Sequence, residues 1–232
     1  MKKSIHYLAF SDFKSIPKID LKDDEYYLFQ YSNDCNPDQD ILKYYLELLP
    51  QKFKQEVLKY RKLDDRYNCL FGKLLVYMGS YMLGSDSFKF EKIIKDKYGK
   101  PFMLDSNFNF NISHSGNTVV CVFSKQQIGI DIEEINDIDY SLFENVFSSR
   151  EFAEINSQGL DKFYEFWTKK ESVIKAIGKG MTIPLTEIDV VKSHTTYDGD
   201  TWYTKSFKID NKYCSITAKH DLIRVQDTHV LF

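Results

Sequence analysis

The sequence predicts a mixed α/β fold of the α+β kind, and three observations carry that expectation. Apolar residues recur at helical spacing in the first third of the chain and again between Asp161 and Ile177. Between Asn107 and Ile135 they alternate with polar residues instead, which is the two-residue period of a strand. The turn signal Tyr98-Gly99-Lys100-Pro101 separates the two regimes and marks a boundary between two halves. At 232 residues the chain is long enough for one large domain or two small ones with a hydrophobic core.

The elements follow in order. Tyr26 to Tyr31 (YYLFQY) is expected to be an early, aromatic-rich strand. Asp38 to Leu49 places Ile41, Leu42, Tyr45, Leu48 and Leu49 on one helical face. Pro50 opens the next helix, at the position where a missing N–H removes no hydrogen bond. Asp64 to Leu83 reads as a longer helix ending near Gly84. In Asn107 to Ser113, Phe108, Phe110 and Ile112 share one strand face and the asparagines the other. Ser113 to Asn117 is a polar turn, and Val119–Phe123 and Gln127–Ile135 are further strands. Glu144 to Ile155 is expected to be partly helical, and Asp161 to Ile177 fully so, stopped by Gly178 and Gly180. Leu185–Val191, Trp202–Ile209 and Tyr213–Lys219 complete the reading as strands.

Composition narrows the function classes. Hydrophobic residues are 43% and charged residues 28%, and the net charge is −3. Such a balance lacks the basic excess of a nucleic-acid binder and the basic amphipathic face of a membrane-surface protein. No stretch is long and apolar enough to span a bilayer. Met1-Lys2-Lys3 begins like a signal peptide, but the apolar run Ile5 to Phe10 is short and no cleavage site follows. Cys35, Cys69, Cys121 and Cys214 fit neither a zinc pattern nor a CxxC motif, so a reduced, cytoplasmic chain is expected.

The most informative stretch is Ile128-Gly129-Ile130-Asp131-Ile132-Glu133. Alternation buries the three isoleucines and puts Asp131 and Glu133 together on the other face, roughly 7 Å apart. Paired carboxylates repel unless a cation lies between them, and an all-oxygen set suits Mg²⁺. A solvated acidic edge strand reads the same way. Glu171 lies on the margin of the stripe formed by Phe163, Phe166, Trp167 and Ile174, with Lys175 four residues on. Either Glu171 and Lys175 form an ordinary helix pair, or Glu171 is a third oxygen ligand and Lys175 faces the same substrate. Ser113, His114 and the following turn offer donors for a phosphate. Lys100 sits on a rigid turn before Pro101, and Lys52 and Lys54 at the start of a helix, where an anion is favoured. Phosphate-loop, dinucleotide, HExxH and GxSxG signatures are absent.

Taken together, Lys100-Pro101, the run Asn111 to Ser115 (NISHS), Gly129 to Glu133 (GIDIE), Phe147-Ser148 with Glu151, and Trp167 to Ala176 (WTKKESVIKA) resemble the 4′-phosphopantetheinyl transferases of the surfactin-synthetase-activating (Sfp-like) type. Order and spacing match as well, from about Pro50 to Pro184. The resemblance implies two similar α/β halves related by a pseudo-twofold axis, with a ligand cleft between them. The halves are placed at residues 1–105 and 106–232, the second carrying the metal site. Asp131, Glu133 and Glu171 match the family's Mg²⁺-binding acids, and Lys175 the lysine on the diphosphate of coenzyme A. Ser113 and His114 match residues holding its phosphates, Lys100 and Pro101 the nucleotide-binding turn, and Lys52 a basic residue near the 3′-phosphate. Gln55 stands where a second basic residue is expected.

The reaction so implied moves 4′-phosphopantetheine from coenzyme A to a serine of an apo acyl or peptidyl carrier protein and releases 3′,5′-ADP. Glu171, Lys175 and His114 are the expected catalytic groups, with Glu171 or a metal-bound water beside it as base. The chain is expected to be a monomer, with no nucleic-acid or membrane partner. Asn136 to Phe147, through Ile138, Leu142, Phe143 and Val146, is either a carrier-docking surface or core. Two other readings use the same residues: a Mg²⁺-dependent hydrolase of nucleotide diphosphates, and an inactive module that only binds carrier protein or coenzyme A.

Overall fold

The computed structural model describes residues 3–33, 39–85, 88–221 and 224–232. The chain runs through β1 (Lys3–Ala9) and β2 (Glu25–Ser32), then α1 (Gln39–Leu46), α2 (Gln51–Leu58) and α3 (Leu63–Met82). A short hairpin of β3 (Ile93–Lys95) and β4 (Pro101–Met103) leads to β5 (Asn109–Ser115), β6 (Thr118–Ser124) and β7 (Ile128–Glu134). Helices α4 (Ser149–Gln158) and α5 (Leu160–Ile177) come next. Strands β8 (His194–Tyr197), β9 (Asp200–Ile209), β10 (Lys212–Ala218) and β11 (Arg224–Leu231) end the chain.

Strand alternation sorts the apolar residues into layers. Odd-numbered Phe29, Cys121 and Phe123 join Leu70, Phe71, Leu74, Leu75 and Met78 of α3 in one core. Even-numbered Leu28, Val120 and Val122 face Ile128, Ile130 and Ile132 of β7 and Cys214 and Ile216 of β10 in a second. The result is four layers: α3, a five-stranded mixed sheet ordered β1-β11-β2-β6-β5, a four-stranded antiparallel sheet ordered β7-β10-β9-β8, and α5. Each sheet thus has one long helix on its outer face. The three isoleucines of β7 are fully buried, each contributing roughly 1.5–3 kcal/mol.

Local signals account for the helix that matters most. Helix α5 ends at Gly178, whose left-handed backbone (φ 81°) closes the last turn. Before it, Ser148 and Glu151 form a reciprocal capping box at the start of α4. Glu151 is fully buried, accepts from Val190 N–H at 2.9 Å and is paired with the equally buried Lys170 of α5 at 2.8 Å.

Several expectations need correction. Leu185 to Val191 is not a strand: a 3-10 turn at Leu185–Glu187 leads into irregular backbone. Its apolar residues pack into the core, while Lys170 Nζ takes the carbonyls of Leu185 and Ile188 that a neighbouring strand would otherwise have bonded. Strands β1, β3, β4, β8 and β11 are additions. The parallel pairing of β1 and β2 with the distant β11 leaves no local sequence signature. The polar turn expected from Ser113 starts later, since β5 runs on through Ser115. Phe143 packs on Phe163 and Trp167, and Ile138 and Val146 also lie against the core, leaving Leu142 as the exposed member of that group. Asp38 and Cys35 fall outside the described residues; among the described residues Cys69, Cys121 and Cys214 form no disulfide. Among the described residues no helix is long and apolar enough to cross a membrane.

Candidate active site

Edge strands β5 and β7 meet along a seam made by side chains. Asn111 Oδ1 accepts from Ile130 N–H at 2.9 Å, Ser113 Oγ from Ile132 N–H at 3.3 Å and Ser115 Oγ from Glu134 N–H at 2.9 Å. The N-x-S-x-S alternation of β5 therefore does what backbone carbonyls do inside a sheet, and it locks the two sheets in register. Sequence reasoning placed Ser113 at a phosphate and passed over Asn111 and Ser115. The signal was there, in polar residues spaced two apart beside an equally regular run of isoleucines.

The same seam fixes the acidic face of β7. Ser113 Oγ donates to Asp131 Oδ1 at 3.0 Å, and Ser115 Oγ donates to Glu133 Oε2 at 3.1 Å. From α5, Lys175 Nζ reaches Asp131 Oδ1 at 2.6 Å and Ser113 Oγ at 2.9 Å. Lys175 thus crosses to the strand, where the sequence alone allowed a simple pairing with Glu171.

Electrostatics tie the three carboxylates into one group. Burial, then the charge of Asp131, pushes Glu133 up to about 7, with Glu171 adding to the rise. Burial and then Asp131 raise Glu171 as well. Asp131 is 3% exposed and its Oδ2 has no hydrogen-bond partner. Among the described residues, no three His, Cys, Asp or Glu side chains are grouped closely enough to hold a metal ion as they stand. The donor chemistry nevertheless suits a hard divalent cation: three carboxylates, an orphaned buried carboxylate oxygen, and two carboxyls whose ionisation is held back by burial and by the charge of Asp131.

That imbalance has a measurable consequence. A carboxyl raised in the folded state destabilises the ligand-free chain wherever it must ionise. Stability is therefore expected to fall as pH rises from about 4.5 to about 7. Glu133→Gln removes this penalty and should raise the stability of the ligand-free protein at pH 7.5 by about 1 kcal/mol, allowing for the partly exposed side chain. A melting curve of the variant at pH 7.5 and pH 5 checks it, and an equal or lower midpoint at pH 7.5 contradicts it.

Beside this group lies a cavity of about 310 Å³, to which α5 contributes Glu171 and Lys175, the turn into β4 Lys100 and Pro101, and β5 Asn111 and Ile112; Asp131 and Glu133 are not part of its lining. Lys100 Nζ donates to the carbonyls of Ile128 (3.2 Å) and Ala176 (3.0 Å), bracing the start of β7 against the end of α5. Burial brings its pKa down to about 8, so it still carries a charge at neutral pH. Exposed His114 lies next to Ser113. Partial desolvation of its ring, then the Lys175 charge, holds its imidazole below the ordinary histidine value. Lys52 is apart from these groups. It lines a second cavity of about 340 Å³ with Glu56, Lys73 and Lys95, which adjoins the first through the shared Pro101 and Ile112.

Comparison with known proteins shows the family. The profile of the 4′-phosphopantetheinyl transferase superfamily matches residues 127–224, and that of the 4′-phosphopantetheinyl transferase N-terminal region matches residues 33–126. The chain is 37% identical over 164 residues to 4′-phosphopantetheinyl transferase gsp of Aneurinibacillus migulanus, covering 68% of each protein. It is 31% identical over 187 residues to 4′-phosphopantetheinyl transferase Sfp of Bacillus subtilis strain 168, covering 74% of this chain and 82% of that one. An L-aminoadipate-semialdehyde dehydrogenase-phosphopantetheinyl transferase of Candida glabrata is 31% identical over 159 residues, 62% of this chain and 60% of that one.

Proposed function

This chain belongs to the 4′-phosphopantetheinyl transferase superfamily, in its Sfp-like type, and on that basis we propose that it transfers the 4′-phosphopantetheine moiety of coenzyme A to a serine of an apo acyl or peptidyl carrier protein, releasing 3′,5′-ADP in a Mg²⁺-dependent reaction. The observation that carries the reading is the electrostatically linked trio Asp131, Glu133 and Glu171, joined by Lys175, whose members Glu171 and Lys175 line a cavity together with Lys100 and Pro101.

Asp131, Glu133 and Glu171 would hold the Mg²⁺, whose chemistry is to neutralise charge on the diphosphate and on the leaving group. Lys175 places a second positive charge at the same diphosphate, and His114 and Ser113 supply hydrogen-bond donors to the phosphates. In the transfer step the carrier serine Oγ forms a bond to the phosphorus that bears pantetheine. The bond from that phosphorus to the 3′,5′-ADP oxygen breaks, and the serine proton passes to Glu171, directly or through a water. Its raised pKa suits Glu171 to this role, since a base works best when its pKa approaches the operating pH. Lys100 and Pro101 would bound the nucleotide, and Lys52 the 3′-phosphate from the adjoining cavity.

The division into halves at residues 1–105 and 106–232 is part of this proposal. It falls between β4 and β5, while the β5–β6 hairpin pairs with β2 of the first sheet and the two family matches meet at residues 126 and 127. The exposed side chain of Leu142 is the proposed centre of carrier docking. The chain is proposed to act as a cytoplasmic monomer without nucleic-acid or membrane partners.

Acceptor dependence separates this reaction from hydrolysis of coenzyme A and from passive binding. Release of 3′,5′-ADP is expected only when apo carrier is present, and no release is expected when the carrier serine is replaced by alanine. Equal release without carrier would indicate a hydrolase, and coenzyme A binding without release would indicate a binding module.

A further inference from the structure

Helix α5 lies unusually close to β7, and the contact is made at a glycine. A Cβ built on Gly129 would stand 2.1 Å from the Ser172 carbonyl oxygen and 2.3 Å from the Ala176 amide nitrogen, both backbone atoms that no rotamer change can move aside. Gly129 shares its strand face with Asp131 and Glu133. The height of the helix above the acidic face is therefore set where the side chain is missing.

Two hydroxyl chains, buried except at half-buried Ser206, fix the register along the strand. Thr168 Oγ1 lies 2.8 Å from Ser215 Oγ, which lies 2.8 Å from Ser206 Oγ. One helical turn on, Ser172 Oγ lies 2.7 Å from Thr217 Oγ1, which lies 2.8 Å from Thr204 Oγ1. Thr168 and Ser172 already donate to the helix carbonyls of Tyr164 and Lys169, so each must accept from the sheet, and both chains run from β9 through β10 into α5. Across the β7–β10 ladder, Ser215 is paired with Asp131 and Thr217 with Gly129. Four helical residues rise about 6 Å, close to the roughly 6.7 Å repeat of two strand residues, so both rungs are satisfied in one register. Glu171 lies between the rungs, and Lys175 one turn beyond Glu171.

We propose that Gly129 and the two hydroxyl chains Thr168–Ser215–Ser206 and Ser172–Thr217–Thr204 are positioning residues, which set the height and register of α5 over β7 and so hold Glu171 and Lys175 against Asp131 and Glu133. The proposal rests on the transferase reading above. A displacement of roughly 1 Å in a reacting constellation can lower a rate by about 10²-fold, and loss of groups that orient metal ligands typically weakens metal binding about 10- to 100-fold.

The test uses the full chain and reads Mn²⁺ binding by electron paramagnetic resonance and coenzyme A binding by calorimetry, besides transfer. Gly129→Ala is expected to weaken Mn²⁺ binding in the presence of coenzyme A by at least tenfold. Should that variant fail to fold, Thr217→Val combined with Ser172→Ala, which keeps the packing and removes one rung, is expected to move Mn²⁺ binding in the same direction by a smaller factor. Ile155→Val, a substitution at a fully buried position in α4 expected to lower the melting temperature alone, serves as the control and should leave Mn²⁺ binding unchanged. Variants that melt earlier but bind Mn²⁺ and coenzyme A like the parent would overturn the positioning role while leaving the transferase reading intact. A parent chain that binds neither would overturn that reading and this proposal with it.

Discussion

Glu171→Gln is expected to lower the rate of phosphopantetheine transfer by roughly 10²- to 10⁴-fold while leaving the fold intact, the range a well-placed general base supplies. The substitution keeps the size and hydrogen-bonding shape of the side chain and removes its charge and basicity. Glu171 lies on α5 within the electrostatic reach of Asp131, and burial plus that charge raises its pKa. Loss of one carboxylate should also leave Glu133 easier to ionise, because Glu171 is among the charges that now oppose it. The expected pattern is thus a collapse in kcat, an unchanged or slightly higher melting temperature, and coenzyme A binding that loses its stimulation by Mg²⁺. Near-parental turnover by Glu171→Gln would remove this residue from the chemistry.

The largest expected effect on stability lies away from the cavity. Glu151→Ala should destabilise the protein by about 3–5 kcal/mol, a large fraction of the roughly 5–15 kcal/mol that holds a typical domain together. Glu151 and Lys170 are both fully buried and 2.8 Å apart. Glu151 also accepts from the N–H groups of Ser148 and Val190, and Lys170 Nζ donates to the carbonyls of Leu185 and Ile188. This network joins the start of α4, the middle of α5 and the irregular segment after it. Removing the carboxylate strands a buried ammonium, and burial already pulls the Lys170 pKa down against the opposing pull of Glu151. Replacing both partners, as Glu151→Leu with Lys170→Met, is expected to destabilise less than Glu151→Ala alone, since no charge is then left unpaired. Urea unfolding of the three proteins checks the order, and a single variant within about 1 kcal/mol of the parent would contradict it.

What the sequence made legible follows the physics of each segment. The β7 reading succeeded because strict alternation leaves one register: the isoleucines are fully buried and Asp131 and Glu133 share the other face. Helix α5 was equally plain, since its stripe of aromatic and aliphatic residues and its closing glycine agree. The segment Leu185 to Val191 misled because a buried apolar run looks the same in a strand and in a loop; what decided it was Lys170, a distant side chain that absorbs the loop carbonyls. The role of Asn111 and Ser115 was hidden for a related reason. Alternating polar residues normally mean a solvated face, and only the approach of β7 turns them into acceptors for its backbone. Gly129 gave no signal of its own, because a close helix approach is a tertiary fact.

The central claim is that this site moves a phosphopantetheinyl group, and intact-mass spectrometry of apo carrier proteins incubated with the chain, coenzyme A and Mg²⁺ tests it most directly. The expected result is the gain of a single phosphopantetheinyl group on the carrier serine, abolished by EDTA and strongly slowed by Glu171→Gln. Carriers of unchanged mass after prolonged incubation, across acyl and peptidyl types, would contradict it.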